Sequence, residues 1–393
     1  ENAAGEQEEG DFYVWTPDEV ADAVETHADE SVEPDLASDV FCARYGVTPG
    51  GNFEGTTVLT RASSVEEVAE AHDLESDECR RVLEGAKAAV RAARRERNRP
   101  ARDEKVLAGW NGLMISAYAE ASIALEGNYS DPAESALAFV REHLWDDGAG
   151  ADGLGRLSRR YKDGDVKIHG YLEDYAFLGR GALDTFQATG DVDHLAFALD
   201  LARVIEAEFW DPDGETLYFT PASGEDLIAR PQELDDSSTP SSTGVAAALL
   251  AALEHFSPRA SFGEIADAVV RTHGGKLESD PMRHASLSLA ADTVRRGALE
   301  LTMAVDEPPA DWLATIGERY LPTRVLAWRP PDEAGLQQWL DRLDLAEAPP
   351  IWAERPARDG EPTVYACRSF TCSPPKHDIA AALDWASAKL PGA

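Results

Sequence analysis

The sequence has little lysine, few cysteines and no long apolar segment. Only seven of its 36 basic residues are lysine, against 73 Asp and Glu, and the formal net charge is −37. A chain this acidic lacks the positive surface that attracts a phosphate backbone or an anionic membrane. We therefore expect neither nucleic acid nor a membrane as a partner. A lysine-poor acidic surface is typical of a salt-rich, halophilic cytoplasm, and an ordinary acidic protein is the alternative.

No apolar run approaches the roughly 20 residues that a membrane-spanning helix needs. The first thirty residues are acidic and contain neither the basic nor the apolar region of a secretory signal. We therefore predict a cytoplasmic protein. The chain opens at Glu1, without methionine, in a polar acidic segment. This beginning suggests a fragment or a processed chain.

The four cysteines form no CxxC motif, which excludes a zinc ribbon and a thioredoxin-type redox pair. We predict no metal and no cofactor. Cys367 and Cys372 are close enough in sequence for a disulfide or half of a metal site. In a reducing cytoplasm, two thiols packed in a core are favoured over both.

Hydrophobic residues make up 43% of the chain, enough for a large core. From Trp110 onward, weakly charged helical segments alternate with more charged ones, as expected for inner and outer helices in two concentric layers. The weakly charged segments include 111–125, 173–187 and 243–256, and the charged ones include 132–144 and 192–209.

Residues 140–146 resemble residues 205–211, 65 positions later, and a polar, strand-like loop follows each copy. Helical hairpins with such loops at one end predict an α/α toroid with a cavity at that face. After Glu307 prolines become frequent, and short strands are expected at 324–328, 351–353 and 363–367. We predict two domains, a toroid over 1–306 and an α/β segment over 307–393.

Three segments place polar and aromatic residues where inner helices would begin: 102–112, 169–177 and 235–244. Carboxylates such as Glu173 and Asp174 can simply stabilise a helix N-terminus. Beside aromatic rings they can also serve as general acid and base for a sugar stacked on those rings. The hydroxyl-rich third segment by itself favours a capped loop.

The runs DEKVLAGWNGLMISAYAEAS (103–122), YLEDYAFLGRGALDTFQATGD (171–191), TPSSTGVAAALLAAL (239–253) and VYACRSFTCSPP (364–375) carry a family resemblance. Together with residues 6–20 and 41–59 they are similar, in collinear order, to thioredoxin-domain-containing proteins of the spermatogenesis-associated and bacterial YyaL type. The resemblance covers nearly the whole chain.

The resemblance implies an all-α fold, an (α/α)6 toroid of the six-hairpin glycosidase type that is N-terminally incomplete, similar to N-acylglucosamine 2-epimerases and with a carbohydrate in its central cavity. It also implies a thioredoxin-like domain that this chain lacks. The matching positions are Asp103, Lys105, Trp110, Asn111, Gly112, Glu173, Asp174, Tyr175, Pro240 and Ser241. The chain departs from the family pattern at 242–244, where Ser-Thr-Gly replaces Gly-Asn-Ser.

Two functions remain open. The first is a sugar epimerase, isomerase or glycosidase with Glu173, Asp174 and Asp103 as catalytic residues. Its substrate-binding residues would be Lys105, Trp110, Asn111, His169, Tyr175 and Ser241. Trp110 and Tyr175 would form the stacking platform, and Asp103 and Lys105 a polar clamp. The second is a non-catalytic sugar-binding or scaffold part of a thioredoxin-like fusion protein. Only His169 and His284 stand near a plausible cavity, so we predict no histidine pair of the epimerase kind.

Overall fold

The computed structural model describes residues 10–29, 33–150, 153–225, 227–257, 261–307 and 309–389. The chain forms two compact units, Glu1–Asp103 and Glu104–Ala393. No helix in the described ranges is both long and apolar enough to cross a membrane.

The first unit is a small helical assembly. Its elements are β1 (Val14–Trp15), α1 (Pro17–His27), α2 (Pro34–Tyr45), β2 (Thr57–Val58), α3 (Val65–Ala71) and α4 (Ser76–Glu96). Helix α1 begins as its sequence predicts, since Thr16 and Glu19 form a reciprocal capping box and Pro17 occupies the first position. The amphipathic helix α4 packs against α1, α2 and α3.

The second unit is built around two layers of helices. They are α5 (Ala108–Ala124), α6 (Ser130–Leu144), α7 (Leu172–Thr189), α8 (Val192–Val204), α9 (Ser242–Leu253), α10 (Phe262–Ser279) and α11 (Ala285–Arg296). The inner helices α5, α7, α9 and α11 pack side by side in that order, and α6, α8 and α10 pack outside them. Burial agrees with this division, because α7 is buried along nearly its whole length whereas α6 buries a single face. The predicted α/α toroid architecture is confirmed.

The connections after α6 and α8 carry short strands. These are β4 (Trp145–Asp146), β5 (Arg156–Lys162) and β6 (Asp165–His169) in the first connection, and β7 (Trp210–Asp211) and β8 (Thr216–Leu217) in the second. Strand β3 (Val106–Leu107), just before α5, pairs with β5. The two copies of the weak sequence repeat therefore end in equivalent strands, β4 and β7. A π-helical turn, Ile205–Phe209, precedes β7.

A mixed sheet follows the ring. Its strands are β9 (Leu299–Ala304), β10 (Arg324–Arg329), β11 (Thr363–Arg368) and β12 (Thr371–Cys372), with helices α12 (Ala310–Gly317), α13 (Glu333–Arg342) and α14 (Ile379–Lys389). The strand order is β10-β9-β11-β12, and only the β9–β10 pair is parallel. The core of the ring continues into this sheet, and α12 packs against α5. The α/β segment thus completes the ring that α5 to α11 leave open.

Two details of this segment differ from the sequence prediction. Strand β9 was not among the expected strands, and only Gly297 and Ala298 separate it from α11. Residues 351–353 form a turn and not a strand. The sheet therefore starts before residue 306, and the domain boundary placed there stays a prediction.

Cys367 and Cys372 form a disulfide, so the favoured prediction of two free core thiols is wrong. The hairpin between β11 and β12 places the two residues directly opposite each other, with their Cα atoms 4.1 Å apart. Ser369 and Phe370 make this tight turn with positive φ angles of 47° and 65°. The turn conformation, which the spacing alone did not reveal, brings the sulfurs together.

Helices α5 and α7 approach each other at two glycines. A Cβ atom on Gly112 would lie 2.4 Å from the backbone nitrogen of Leu178, and one on Gly181 would lie 2.7 Å from the carbonyl oxygen of Gly112. Backbone atoms cannot move aside as a flexible side chain can. The pairing of the two inner helices therefore requires glycine at both positions.

We expect Gly112→Ala to lower the free energy of unfolding by about 2–3 kcal/mol, since the methyl group forces α5 and α7 apart. Gly275→Ala in α10 is the matched control, because its Cβ would meet no atom within 4 Å. That change should stabilise the helix by up to about 1 kcal/mol. Urea denaturation of the two variants measures both effects. Equal responses would contradict the close approach.

Candidate functional site

The N-termini of the inner helices lie at one end of the ring and are joined in pairs by two carboxylates. Asp174, in the first turn of α7, accepts a hydrogen bond through Oδ1 from the backbone N–H of Gly109 in α5, at 2.9 Å. Asp236 accepts hydrogen bonds from the backbone N–H groups of Ser241, the N-cap of α9, and Ser286 in α11, at 2.7 and 2.9 Å. Each carboxylate thereby accepts hydrogen bonds from backbone N–H groups at helix N-termini, which have no partner within their own helix.

Arg159, on β5, connects two acidic side chains at the start of α7. Its Nη1 lies 2.5 Å from Oε1 of Glu173 and 2.9 Å from Oδ2 of Asp174. Asp174 also accepts the backbone N–H of Tyr171 at 3.0 Å, so both of its oxygens are engaged. Burial raises the pKa of Asp174, while Arg159 and the backbone amides oppose the rise.

A polar pocket of about 620 Å³ opens beside Glu173, and we call it the mouth pocket. It is lined by Glu173, Gln232, Glu233, Leu234, Asp235, Asp236, Ser237, Thr239, Pro240, Lys276 and Arg283. Glu233 is an exposed residue, and partial desolvation together with the nearby charge of Glu173 raises its pKa, while the charge of Arg159 opposes the rise. Of the four carboxylates at this pocket, Asp235 pairs with Arg283 at 2.8 Å and Asp236 accepts two backbone N–H groups. The other two have different surroundings, since Glu173 pairs with Arg159 and Glu233 does not.

Asp174 and Tyr175 do not fit the roles that the sequence suggested. The Asp174 side chain is 1% exposed and fully hydrogen-bonded, so it positions its neighbours and has no free oxygen for a substrate. Tyr175 is completely buried, and its ring packs on Phe209. A platform for a sugar needs an exposed ring face, which Tyr175 lacks.

Two further predicted residues make local helix contacts. Ser241 is buried, accepts the backbone N–H of Gly244 at 3.0 Å and donates to the carbonyl oxygen of Glu233 at 2.9 Å. It is the N-cap of α9, as the capped-loop interpretation of its segment proposed. The Asn111 side-chain amide donates to the carbonyl oxygen of Leu107 at 2.8 Å.

His169 lies in a separate cavity of about 240 Å³, together with the Tyr175 hydroxyl, Arg156 and Glu208. The Tyr175 oxygen is 3.4 Å from Nε2 of His169 and accepts the backbone N–H of Leu157 at 2.9 Å. Burial and Arg156 lower the pKa of His169, against the opposing charge of Glu208. His169 therefore does not line the mouth pocket with Glu173.

The other predicted residues remain accessible. Trp110, one residue after the Gly109 amide that contacts Asp174, has 60% of its surface exposed. Lys105 is exposed at the beginning of the second unit, and Asp103 is exposed at the end of the first. The polar clamp that they were predicted to form stays a prediction.

Sequence reasoning missed Glu233 and Arg159. Glu233 lies in a connection without periodicity, eight residues before the capping serine. Arg159 stands in RLSRRYK, an arginine-rich strand in a chain with few basic clusters, opposite an acidic helix start. That charge contrast was the available signal for Arg159. Nothing local distinguishes Glu233 from other acidic loop residues.

We expect Asp174→Asn to destabilise the protein by about 2–4 kcal/mol, because an amide cannot accept all three donors and leaves buried groups unpaired. Glu173→Gln is the matched control and should cost less, because Arg159 keeps Asp174 as its charged partner. The urea midpoints of both variants test the difference. A smaller loss for Asp174→Asn than for Glu173→Gln would show that Asp174 does not join α5 to α7.

No protein-family model matches the chain. Among solved structures, an α-1,6-mannanase from Salegentibacter sp. HEL1_6 is 12% identical with a TM-score of 0.35, covering 65% of this chain and 70% of that one. A D-mannose isomerase is 14% identical with a TM-score of 0.32, covering 81% and 83%. Similarity this low says nothing about activity.

Among curated proteins, human spermatogenesis-associated protein 20 is 26% identical over 390 residues, which cover 94% of this chain and 48% of that protein. An uncharacterized Caenorhabditis elegans protein is 25% identical, covering 93% and 50%. The chain spans about half the length of these relatives. The resemblance seen in the sequence is thus confirmed, and the homologues of this chain are spermatogenesis-associated protein 20 and its relatives.

Proposed function

We propose that the second unit binds a carbohydrate in the mouth pocket and that Glu173 and Glu233 act on it as base and acid. The observation that carries this proposal is the presence of two carboxylates with unlike surroundings at one polar pocket of about 620 Å³. Partial desolvation and the Glu173 charge favour the protonated form of Glu233. Glu173 is held by Arg159 at 2.5 Å.

Such a pair suits reactions at the oxygens of a sugar. Protonated Glu233 can donate its proton to a departing or carbonyl oxygen, while the Glu173 carboxylate accepts a proton from water or from a sugar carbon or hydroxyl. Glycoside hydrolysis and sugar isomerisation or epimerisation both require this division of roles. Asp174 acts as a positioning residue, because it holds Arg159 against Glu173.

Substrate contacts would come from exposed groups of the second unit. The exposed indole of Trp110 offers a face on which a sugar ring can stack. Lys276 lines the same pocket as Glu173 and can donate to sugar hydroxyls. Lys105, which is exposed in the second unit, is a further candidate for a polar contact.

A second function, sugar binding without conversion, has one observation in its favour. The Glu173 oxygen at 2.5 Å from Arg159 must give up part of that contact before it can accept a proton. The chain would then be the sugar-binding or scaffold part of a thioredoxin-like fusion protein, as the sequence resemblance implies.

Calorimetry and NMR on a panel of mono- and oligosaccharides distinguish these functions. We expect one sugar class to bind and to give a converted product. Glu173→Gln and Glu233→Gln should each lower turnover by at least about 100-fold while binding persists, since only proton transfer is lost. Glu142→Gln on α6, an exposed glutamate, is the control and should be fully active. Binding without product would favour the second function, and no binding at all would overturn both.

The pH dependence follows from the direction of the Glu233 shift. Because its pKa is raised, Glu233 keeps its proton to a higher pH than an ordinary glutamate, and turnover should fall as pH rises through that raised pKa. The residual turnover of Glu233→Gln should lack this alkaline decline. A pH–rate profile of both proteins measures it, and an identical decline in the variant would remove Glu233 as the acid.

A further inference from the structure

A third cavity, of about 300 Å³, lies between the inner helices, and we call it the lumen cavity. All four inner helices and the segment leading into β10 contribute to it. Its lining includes Arg180, Val245, Ala248, Leu289, Arg324 and Val325. Small residues on α9 keep it open, since Ala248 and Ala252 follow Val245 at helical spacing.

The lumen cavity contains two arginines whose bonding capacity is only partly used. Arg180 donates through Nε to Asp184 at 2.7 Å, and Arg324 forms an ion pair with Glu120 through Nη2. Within the described ranges, neither Nη atom of Arg180 donates a hydrogen bond. The Nε atom of Arg324 is buried and has no partner in the same ranges.

Two carboxylates, Glu120 and Asp184, lie near these arginines. Asp184 is fully buried and accepts from Ser116, Arg180 and Gln187, at 2.6, 2.7 and 2.9 Å. The hydroxyls of Ser286 and Thr293 donate to Asp236 and to the carbonyl oxygen of Leu289. The cavity therefore offers the two Nη groups of Arg180, whose side chain is 36% exposed, and the buried Nε of Arg324, which is costly to leave without a partner.

We propose that the lumen cavity binds a small organic oxyanion, a carboxylate or a phosphate ester, between Arg180 and Arg324. Arginine N–H groups fit the paired oxygens of either anion in a bidentate arrangement. The apolar side chains of Val245, Leu289 and Val325 face the same space and would contact the carbon skeleton. This site uses neither Glu173 nor Glu233, so it stands independently of the proposed reaction.

Calorimetry on the full chain tests the proposal with sodium phosphate and sodium gluconate, at ionic strength held constant with sodium chloride. D-glucose serves as a neutral probe similar in size to gluconate. We expect at least one anion to bind in the millimolar range or tighter, and at least 10-fold more tightly than glucose. Binding of phosphate alone points to a phosphate ester, and binding of gluconate alone to a carboxylate. Absence of binding by both anions overturns the proposal, as does equal binding of glucose and gluconate.

Variants then locate the bound anion. Arg180→Lys keeps the charge but loses the planar fork, and it should weaken anion binding at least 10-fold. Ala248→Leu fills the cavity without altering charge and should abolish binding. Ala138→Leu, at an exposed position on α6, is its matched control and should bind as the parent does. Circular dichroism establishes that each variant is folded. Anion binding that survives both Arg180→Lys and Ala248→Leu unchanged would overturn the site.

Glu173→Gln and Glu233→Gln separate this proposal from the preceding one. Both variants should bind the anion with the affinity of the parent protein. A loss of anion binding in either variant would place the anion in the mouth pocket and overturn the lumen site. A chain that binds the anion but converts no sugar would support the lumen site while the proposed reaction fails.

Discussion

The buried carboxylate of Asp174 is the contact on which the rest of the second unit depends. It accepts the N–H of Gly109 from α5, the N–H of Tyr171 at the start of its own helix, and Nη1 of Arg159 from β5. One side chain therefore fixes two inner helices and one loop. Because Arg159 also holds Glu173, the orientation of the proposed base follows from the same contact.

Much of the ring could be predicted from the sequence, because inner and outer helices differ in charge. The inner helix α7 was expected over 173–187 and spans Leu172–Thr189. The strand β9 could not be predicted in the same way, since six apolar and polar residues that begin only three positions after the end of a helix fit either a strand or a further helical turn. Its identity depends on pairing with β10 and β11, which lie 20 or more residues later.

Only part of the candidate site could be predicted from the sequence, as Glu173, Asp174 and Ser241 illustrate. Glu173 and Asp174 were found because a helix start is marked in sequence, but adjacent positions on a helix face different directions. One carboxylate consequently reaches the mouth pocket while the other is sealed against α5. Ser241 illustrates the same limit, since a capping serine and a ligand-binding serine have identical local sequence signals. Glu233 lies beside Glu173 because the tertiary fold brings its loop to the mouth pocket, and no local sequence signal marks it.

The shared orientation of the inner helices has an electrostatic consequence. Each helix carries a partial positive charge at its N-terminus, and these termini gather at the end of the ring where Asp174 and Asp236 lie. The backbone dipoles of these helices thus supply a positive potential in addition to that of the side chains. An acidic chain can therefore concentrate carboxylates around this opening with few lysines to balance them. The backbone, which mutation cannot discharge, adds to the positive charge that Arg159 and Arg283 supply there.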